Sequence, residues 1–279
     1  MRHFIRLFMV ILFAMGCGDS QKEEPTGTPF YLGTYTGGES RGIYRYFLSE
    51  DGSLREGGLV AEAENPSFLA LSPDGAYLLA VNEVSDANQT GFESSFKAEK
   101  DTLLFLDRKP SGGAHPCHVA IHPEGYVLVA NYTGGNMGLL RIREDGRLTE
   151  LLDVQTHQGS GPHPRQDAPH AHSGWFTEAG GIISVDLGTN QLWFSEIDPQ
   201  KDKLRPQDPP TFSMAPGSGP RHLALHPEKP WIYVVNELSS SVSLLQAEPE
   251  SGQWEIAQTV STLPRSFSGG NTCADIHIS

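Results

Sequence analysis

The sequence predicts an all-β fold, a β-propeller of four-stranded blades. First, one segment recurs: NPSFLALSPDGAYLLAVNE at Asn65–Glu83, HPCHVAIHPEGYVLVANY at His115–Tyr132 and PRHLALHPEKPWIYVVNE at Pro220–Glu237, with a weaker copy, HAHSGWFTEAGGIISVDLG, at His170–Gly188. Second, the turn prolines Pro73, Pro123 and Pro227 lie 50 and then 104 residues apart, the larger gap being two steps of 52 with the weaker copy inside it. A repeat of roughly 40–50 residues made of short strands is the sequence mark of a propeller, one blade per repeat. Third, 30 Gly and 20 Pro are dispersed over 279 residues, as suits a chain with many turns.

Taken in order, the first 17 residues stand apart from the fold. MRHFIR is basic, and LFMVILFAMG is an apolar run too short to span a bilayer. AMGC at Ala14–Cys17 resembles a bacterial lipobox, with Cys17 as the residue acylated after cleavage. Gly16 fits that pattern, while Ala14 stands where Leu is usual. Ordinary secretion is the alternative. Residues 18–29 read as a polar tether, and residues 30–279 as the propeller.

PFYLGTYTGG then aligns with the second half of the repeat, RGIYRYFLSEDGSL alternates as a third strand with Asp51-Gly52 as its turn, and REGGLVAEA is a fourth. Each blade therefore runs inner strand, Pro turn, second strand, Asn-containing loop, third strand, turn, fourth strand. Tyr31, Leu78, Val127, Ile182 and Ile232 mark five second strands. NTCADIHIS at Asn271–Ser279 reads as one more inner strand, and the next turn Pro would fall just past Ser279. Because a propeller closes into a ring to remove free strand edges, the expectation is a C-terminally incomplete ring of about five blades and one inner strand.

Twenty Lys plus Arg against 34 Asp plus Glu give a net charge of -14, which argues against nucleic acid as a partner. Three Cys, one in the leader, make no disulfide framework, so Cys117 and Cys273 are expected to be buried free thiols. There is no G-x-S-x-G, H-E-x-x-H, C-x-x-C or Walker glycine loop, and His170-Ala-His172 alone is no metal site.

Blade topology places the loop leading into the inner strand and the loop after the second strand on one face, around the channel. Arg221 and His222 of GSGPRH, His170 and His172 of PHAHS, Arg165, His115, His118, Asn131 of NYTGG, and Glu237 and Glu83 of the two NE pairs gather there. Each has an ordinary structural alternative, such as pairing with a neighbouring blade or capping a turn. His122 and His226 precede Pro on the opposite face and are assigned to structure.

From YLGTYTGG through GGAHPCHVAIHPEG, PHAHS and DLGTNQL to GSGPRHLALHPEKPWIYVVNE and GGNTCADIHIS, the chain resembles the seven-bladed lactonase family. That family includes propeller-type 6-phosphogluconolactonase and carboxymuconate cyclase. The resemblance implies seven blades and hydrolysis of a sugar lactone with neither cofactor nor metal. Opening a lactone needs an activated water and a site for the developing oxyanion, which makes His172 or Glu237 the candidate general base and Arg221 the group that polarises the carbonyl or holds an anionic group bidentately, with Arg165 and His222 assisting. Arg165, His170, His118, Asn131 and Glu83 would contact substrate. The leader itself predicts a lipid-anchored protein of the periplasm or cell envelope that touches membrane only through Cys17. For that location an unphosphorylated aldonolactone is the more natural substrate, whatever the family name suggests; the complete protein is expected to be a monomer. A cycloisomerase of an unsaturated dicarboxylate and a non-catalytic binding propeller are the alternatives.

Overall fold

The computed structural model describes residues 27–248, 250 and 252–279. The leader and the acylation site at Cys17 lie outside the described residues. The strands group in chain order into five antiparallel sheets. The first holds β1 (Thr28–Leu32), β2 (Gly42–Leu48) and β3 (Leu54–Glu62). The second holds β4 (Leu69–Leu71), β5 (Tyr77–Asn82), β6 (Phe92–Ala98) and β7 (Leu103–Pro110). The third holds β8 (Pro116–Ile121), β9 (Tyr126–Asn131), β10 (Asn136–Arg141) and β11 (Asp153–Thr156). The fourth holds β12 (Ala171–Phe176), β13 (Gly181–Asp186), β14 (Gln191–Asp198) and β15 (Lys203–Ser213), and the fifth β16 (Pro220–Leu225), β17 (Trp231–Asn236), β18 (Ser241–Ala247) and β19 (Trp254–Ser261).

Each sheet packs face to face on the next in sequence: β3 against β7, β4 and β5 against β8, β8 and β9 against β12, and β12 and β13 against β16. The five predicted second strands are β1, β5, β9, β13 and β17. In β5, Leu79 and Val81 join Val119, Val127 and Val129 on one side, while Leu78 and Ala80 join Ile43, Val60 and Phe96 on the other. Alternate residues point to opposite faces, so a strand covered on both reads as an unbroken apolar run. Truncating such a residue, as in Leu79→Ala, costs about 2–5 kcal/mol.

Three expectations need correction. The propeller begins with β1 at Thr28, inside the segment read as a tether. Residues 271–279 form no strand. Their alternation is strand-like, but a strand exists only as part of a ladder, and among the described residues they form none. The segment instead lies against the fifth sheet, with Cys273 N donating to Glu237 O at 3.3 Å. Cys117 and Cys273 are free, as expected, but partly exposed rather than buried.

Candidate active site

The ladder between inner and second strand carries a bulge at the same place in three sheets. Pro116 pairs with Asn131 and His118 with Ala130, leaving Cys117 as the extra residue. His172 is the extra residue between the pairs Ala171–Asp186 and Ser173–Val185, and Arg221 between Pro220–Asn236 and His222–Val235. In the second sheet, Glu83 N donates to Asn65 O and Val81 N to Phe68 O, which gives Ser67 the corresponding place. A bulge re-aims one side chain without disturbing the alternation on either side. Ser67, Cys117, His172 and Arg221 all line one cavity of about 410 Å³ on the channel axis.

The remaining walls come from loops after the second strands: Tyr35 from the first sheet, Glu83 from the second, Tyr132 from the third and Glu237 from the fifth. Arg165 reaches in from the loop before β12, and Asp275 from the C-terminal segment. The residues following the bulges close the inner end. The His118 ring lies 4.3 Å from Phe68, 5.0 Å from Trp175 and 5.3 Å from His222.

Glu237, only 7% exposed, is gripped from both sides. Its Oε1 accepts from Arg165 Nη1 at 2.5 Å, and its Oε2 forms an ion pair with Arg221 Nε at 3.0 Å. Arg221 Nη1 also donates to Ala274 O, and Arg165 Nη2 to Tyr132 Oη at 3.2 Å. The loop carrying Arg165 is rigid for local reasons. His163 Nδ1 accepts from Arg165 N and Gln166 Oε1 from His163 N, a capping box around a 3-10 turn at Pro164–Gln166. Gln166 Nε2, fully buried, donates to Leu187 O and Asn190 Oδ1.

Asp186 of the DLG motif holds the approach to His172. Its Oδ1 accepts from His170 N at 2.9 Å and Thr189 N at 2.7 Å, and its Oδ2 pairs with His157 Nδ1 at 2.7 Å. The His157 ring stacks on Trp193 at 4.2 Å. Gly188 is required here because a Cβ would come within 1.9 Å of Ala168 O.

Burial pushes His172 well below the ordinary imidazole pKa, and the Arg221 charge adds to the effect, so the ring is neutral. Burial likewise lowers His118 and His222, the latter opposed by its hydrogen bond to Asp275. His222 Nδ1 and Asp275 Oδ1 are 2.7 Å apart, which holds the Asp275 carboxyl far below its usual range. His222 Nε2 is closed to solvent and has no partner. Cys117 is shifted strongly upward, by burial first and then by the Glu83 charge, and is a thiol rather than a thiolate.

Of the residues singled out in the sequence, His172, Arg221, His222, Glu237, Arg165 and Glu83 converge on the cavity. His170 does not line it; its ring stacks on Tyr132 at 4.5 Å and supports that wall. His118 sits behind the cavity, with Nδ1 accepting from Gly174 N at 3.4 Å. Asn131 is fully buried, and its amide donates to Ser111 O and Asn136 Oδ1, so it ties loops together instead of meeting a ligand. His115 is half-buried and bonds Thr133. His122 and His226 accept from turn backbone amides, as structure-holding residues should. Sequence reasoning missed Tyr35, Ser67, Phe68, Cys117, Tyr132 and Asp275, which also line the cavity. Among the described residues no group of three or more His, Cys, Asp or Glu side chains is placed to hold a metal ion.

A family model described as "Lactonase, 7-bladed beta-propeller" matches residues 29–279. The chain is 35% identical over 253 residues to a 6-phosphogluconolactonase of Bacillus subtilis (strain 168), covering 89% of this chain and 70% of that protein. It superposes with a TM-score of 0.82 on a periplasmic gluconolactonase of Pseudomonas aeruginosa, 30% identical, over 89% of this chain and 72% of the other. A crystallised protein from Lactobacillus plantarum, 29% identical, gives the same TM-score over 91% of this chain and 73% of its own.

Proposed function

The chain belongs to the seven-bladed β-propeller lactonase family, and from that premise we propose that its cavity hydrolyses a sugar lactone with His172 as general base. The observation that carries the reading is a neutral imidazole lining the same cavity as a pair of guanidiniums locked on one carboxylate.

Lactone hydrolysis needs a water made nucleophilic and a place for negative charge on the carbonyl oxygen. A water held by His172 loses a proton to the imidazole as its oxygen bonds to the lactone carbonyl carbon. The carbonyl π pair moves onto oxygen, where guanidinium N–H groups of Arg221 and Arg165 receive the charge. Collapse re-forms the carbonyl and breaks the bond to the ring oxygen, which takes the proton back from His172. The open hydroxy acid then ionises in solvent. Glu237 is the weaker candidate for the base, because both its oxygens are engaged by cations. Its role is to fix the two arginines relative to each other. His222 is likewise less suited, since its free nitrogen is closed to solvent.

The substrate we assign is an unphosphorylated aldonolactone. The chain's net charge of -14 disfavours an anionic substrate, and the leader reading places the protein in the cell envelope, the compartment of the Pseudomonas relative. The test is a pH-stat assay on glucono-1,5-lactone, corrected for spontaneous opening. His172→Asn and Arg221→Ala should each lower kcat by ~10²–10³. Because His172 is shifted below about 6.5, kcat/KM should hold through that pH and fall only at lower values as the ring protonates. Full activity in His172→Asn, or an acid limb above pH 7, would remove His172 from the role.

A further inference from the structure

The same position of the repeat, directly after the second-strand Asn, carries Glu in two blades, and the two glutamates have opposite fates. Glu237 is saturated by two guanidiniums. Glu83 is half-buried on the cavity wall, and the contact to its carboxylate is the Tyr35 hydroxyl, which donates to Oε2 at 2.7 Å. Burial, that hydrogen bond and the Glu83 charge push the Tyr35 phenol up to about 12, so it remains a neutral donor throughout the physiological range. Tyr35 is itself 63% exposed at the rim.

The charges of the cavity are therefore segregated. Arg165, Arg221 and Glu237 come from the fourth and fifth blades, where the chemistry is placed, and Glu83 with Tyr35 from the first and second. Across the whole cavity three carboxylates (Glu83, Glu237, Asp275) face two guanidiniums. An ionised carboxylate only accepts hydrogen bonds and can take two hydroxyls at once, one on each oxygen. The exposed Tyr35 ring adds a flat apolar face beside it.

We propose that Glu83 and Tyr35 are the specificity-determining contact for the hydroxyl-bearing arm of the lactone, and that the Glu83 charge excludes an arm carrying phosphate. This deepens the lactonase reading and takes its substrate class from it. Two like unit charges about 4 Å apart cost roughly a factor of five in affinity at the dielectric of water and about a thousand at that of a protein surface.

The test uses the full chain and two sets of probes. Binding of the non-hydrolysable 1,5-anhydroglucitol and its 6-phosphate is measured by calorimetry, and turnover of glucono-1,5-lactone and its 6-phosphate by pH-stat. The wild type should prefer the neutral probe by about tenfold or more. Glu83→Gln should bring that ratio to within about threefold, and Tyr35→Phe should weaken the neutral probe about three- to tenfold while keeping the ratio. A wild type that prefers the phosphorylated probe, binds neither, or keeps its ratio in Glu83→Gln overturns the proposal. If neither lactone is turned over but the probe ratio collapses in Glu83→Gln, the lactonase reading fails and the Glu83 assignment stands. Turnover with an unmoved ratio gives the reverse.

Discussion

Glu237→Gln separates a residue that positions from one that abstracts a proton. The substitution keeps shape and removes the charge between Arg165 Nη1, 2.5 Å away, and Arg221 Nε, 3.0 Å away. A glutamine oxygen can still accept from one guanidinium, but its NH₂ must then face the other, donor against donor. A hydrogen bond to a charged group is worth about 1.5–3 kcal/mol. Solvent can replace part of the loss on the Arg165 side, which is 44% exposed, and less on the Arg221 side, at 23%. A net loss of about 1–2.5 kcal/mol follows, a fall in Tm of about 2–10 °C for a chain of this size. Misplacement of an oriented group by about 1 Å costs around a hundredfold in rate. Glu237→Gln should therefore lower kcat/KM about 10- to 100-fold and leave the acid limb of the pH profile in place, because His172 is untouched. Thermal melting followed by circular dichroism, with pH-stat kinetics below the melting range, measures both effects. Turnover within twofold of wild type would show that the arginines need no such anchor. Disappearance of the acid limb would make Glu237 the base and refute the assignment of His172.

Two further expectations concern the scaffold. Glu93 on β6 is fully buried between Val81 and Lys109 in the ladder, and neither carboxyl oxygen has a partner, so burial raises its pKa well above the usual value. The folded state then keeps a proton that the unfolded chain releases above about pH 4.3, so stability is greatest below that value and falls as pH rises toward the folded pKa, by up to about 1.4 kcal/mol per unit. Glu93→Gln should abolish this component, and urea midpoints of the two proteins compared from pH 5 to 8 should diverge with pH; parallel curves would contradict it. Gly188→Ala would place a Cβ 1.9 Å from Ala168 O and 2.8 Å from His170 N, forcing the backbone before His172 to move. A loss of about 1–3 kcal/mol is expected, with a reduced kcat at temperatures where the variant is folded; an unchanged Tm would show that the two loops can separate freely.

The second strands were legible because burial on both faces leaves a continuous apolar run, as in YLLAVN and YVLVAN. The convergence of His172, Arg221, Glu237 and Arg165 was legible because blade topology sends their loops to one end. Asn131 misled for an instructive reason. Asn82, Asn131 and Asn236 occupy one position of the repeat, and each donates its amide to neighbouring loop or strand atoms. A residue shared by three blades, with Asp186 in its place in the fourth, marks scaffold, whereas the bulged position holds Ser67, Cys117, His172 and Arg221 in successive blades. Asp275 stayed hidden inside an alternating run, because its pairing with His222 across 53 residues is set by tertiary folding alone. Tyr35 and Tyr132 stand just after second strands, and no local pattern reveals which way such a ring turns.

The bulge also bears on how such a site can change over generations. A residue set out of register belongs to neither face of its sheet, so the apolar alternation on either side of it does not dictate its chemistry. Four successive blades hold a hydroxyl, a thiol, an imidazole and a guanidinium there on nearly the same backbone. A substitution at that point alters the chemistry at the channel while the strand pairs on either side keep their register, and each blade offers a separate position for it. The propeller thereby separates what must be inherited unchanged from what is free to be rewritten, residue by residue, around a single ring.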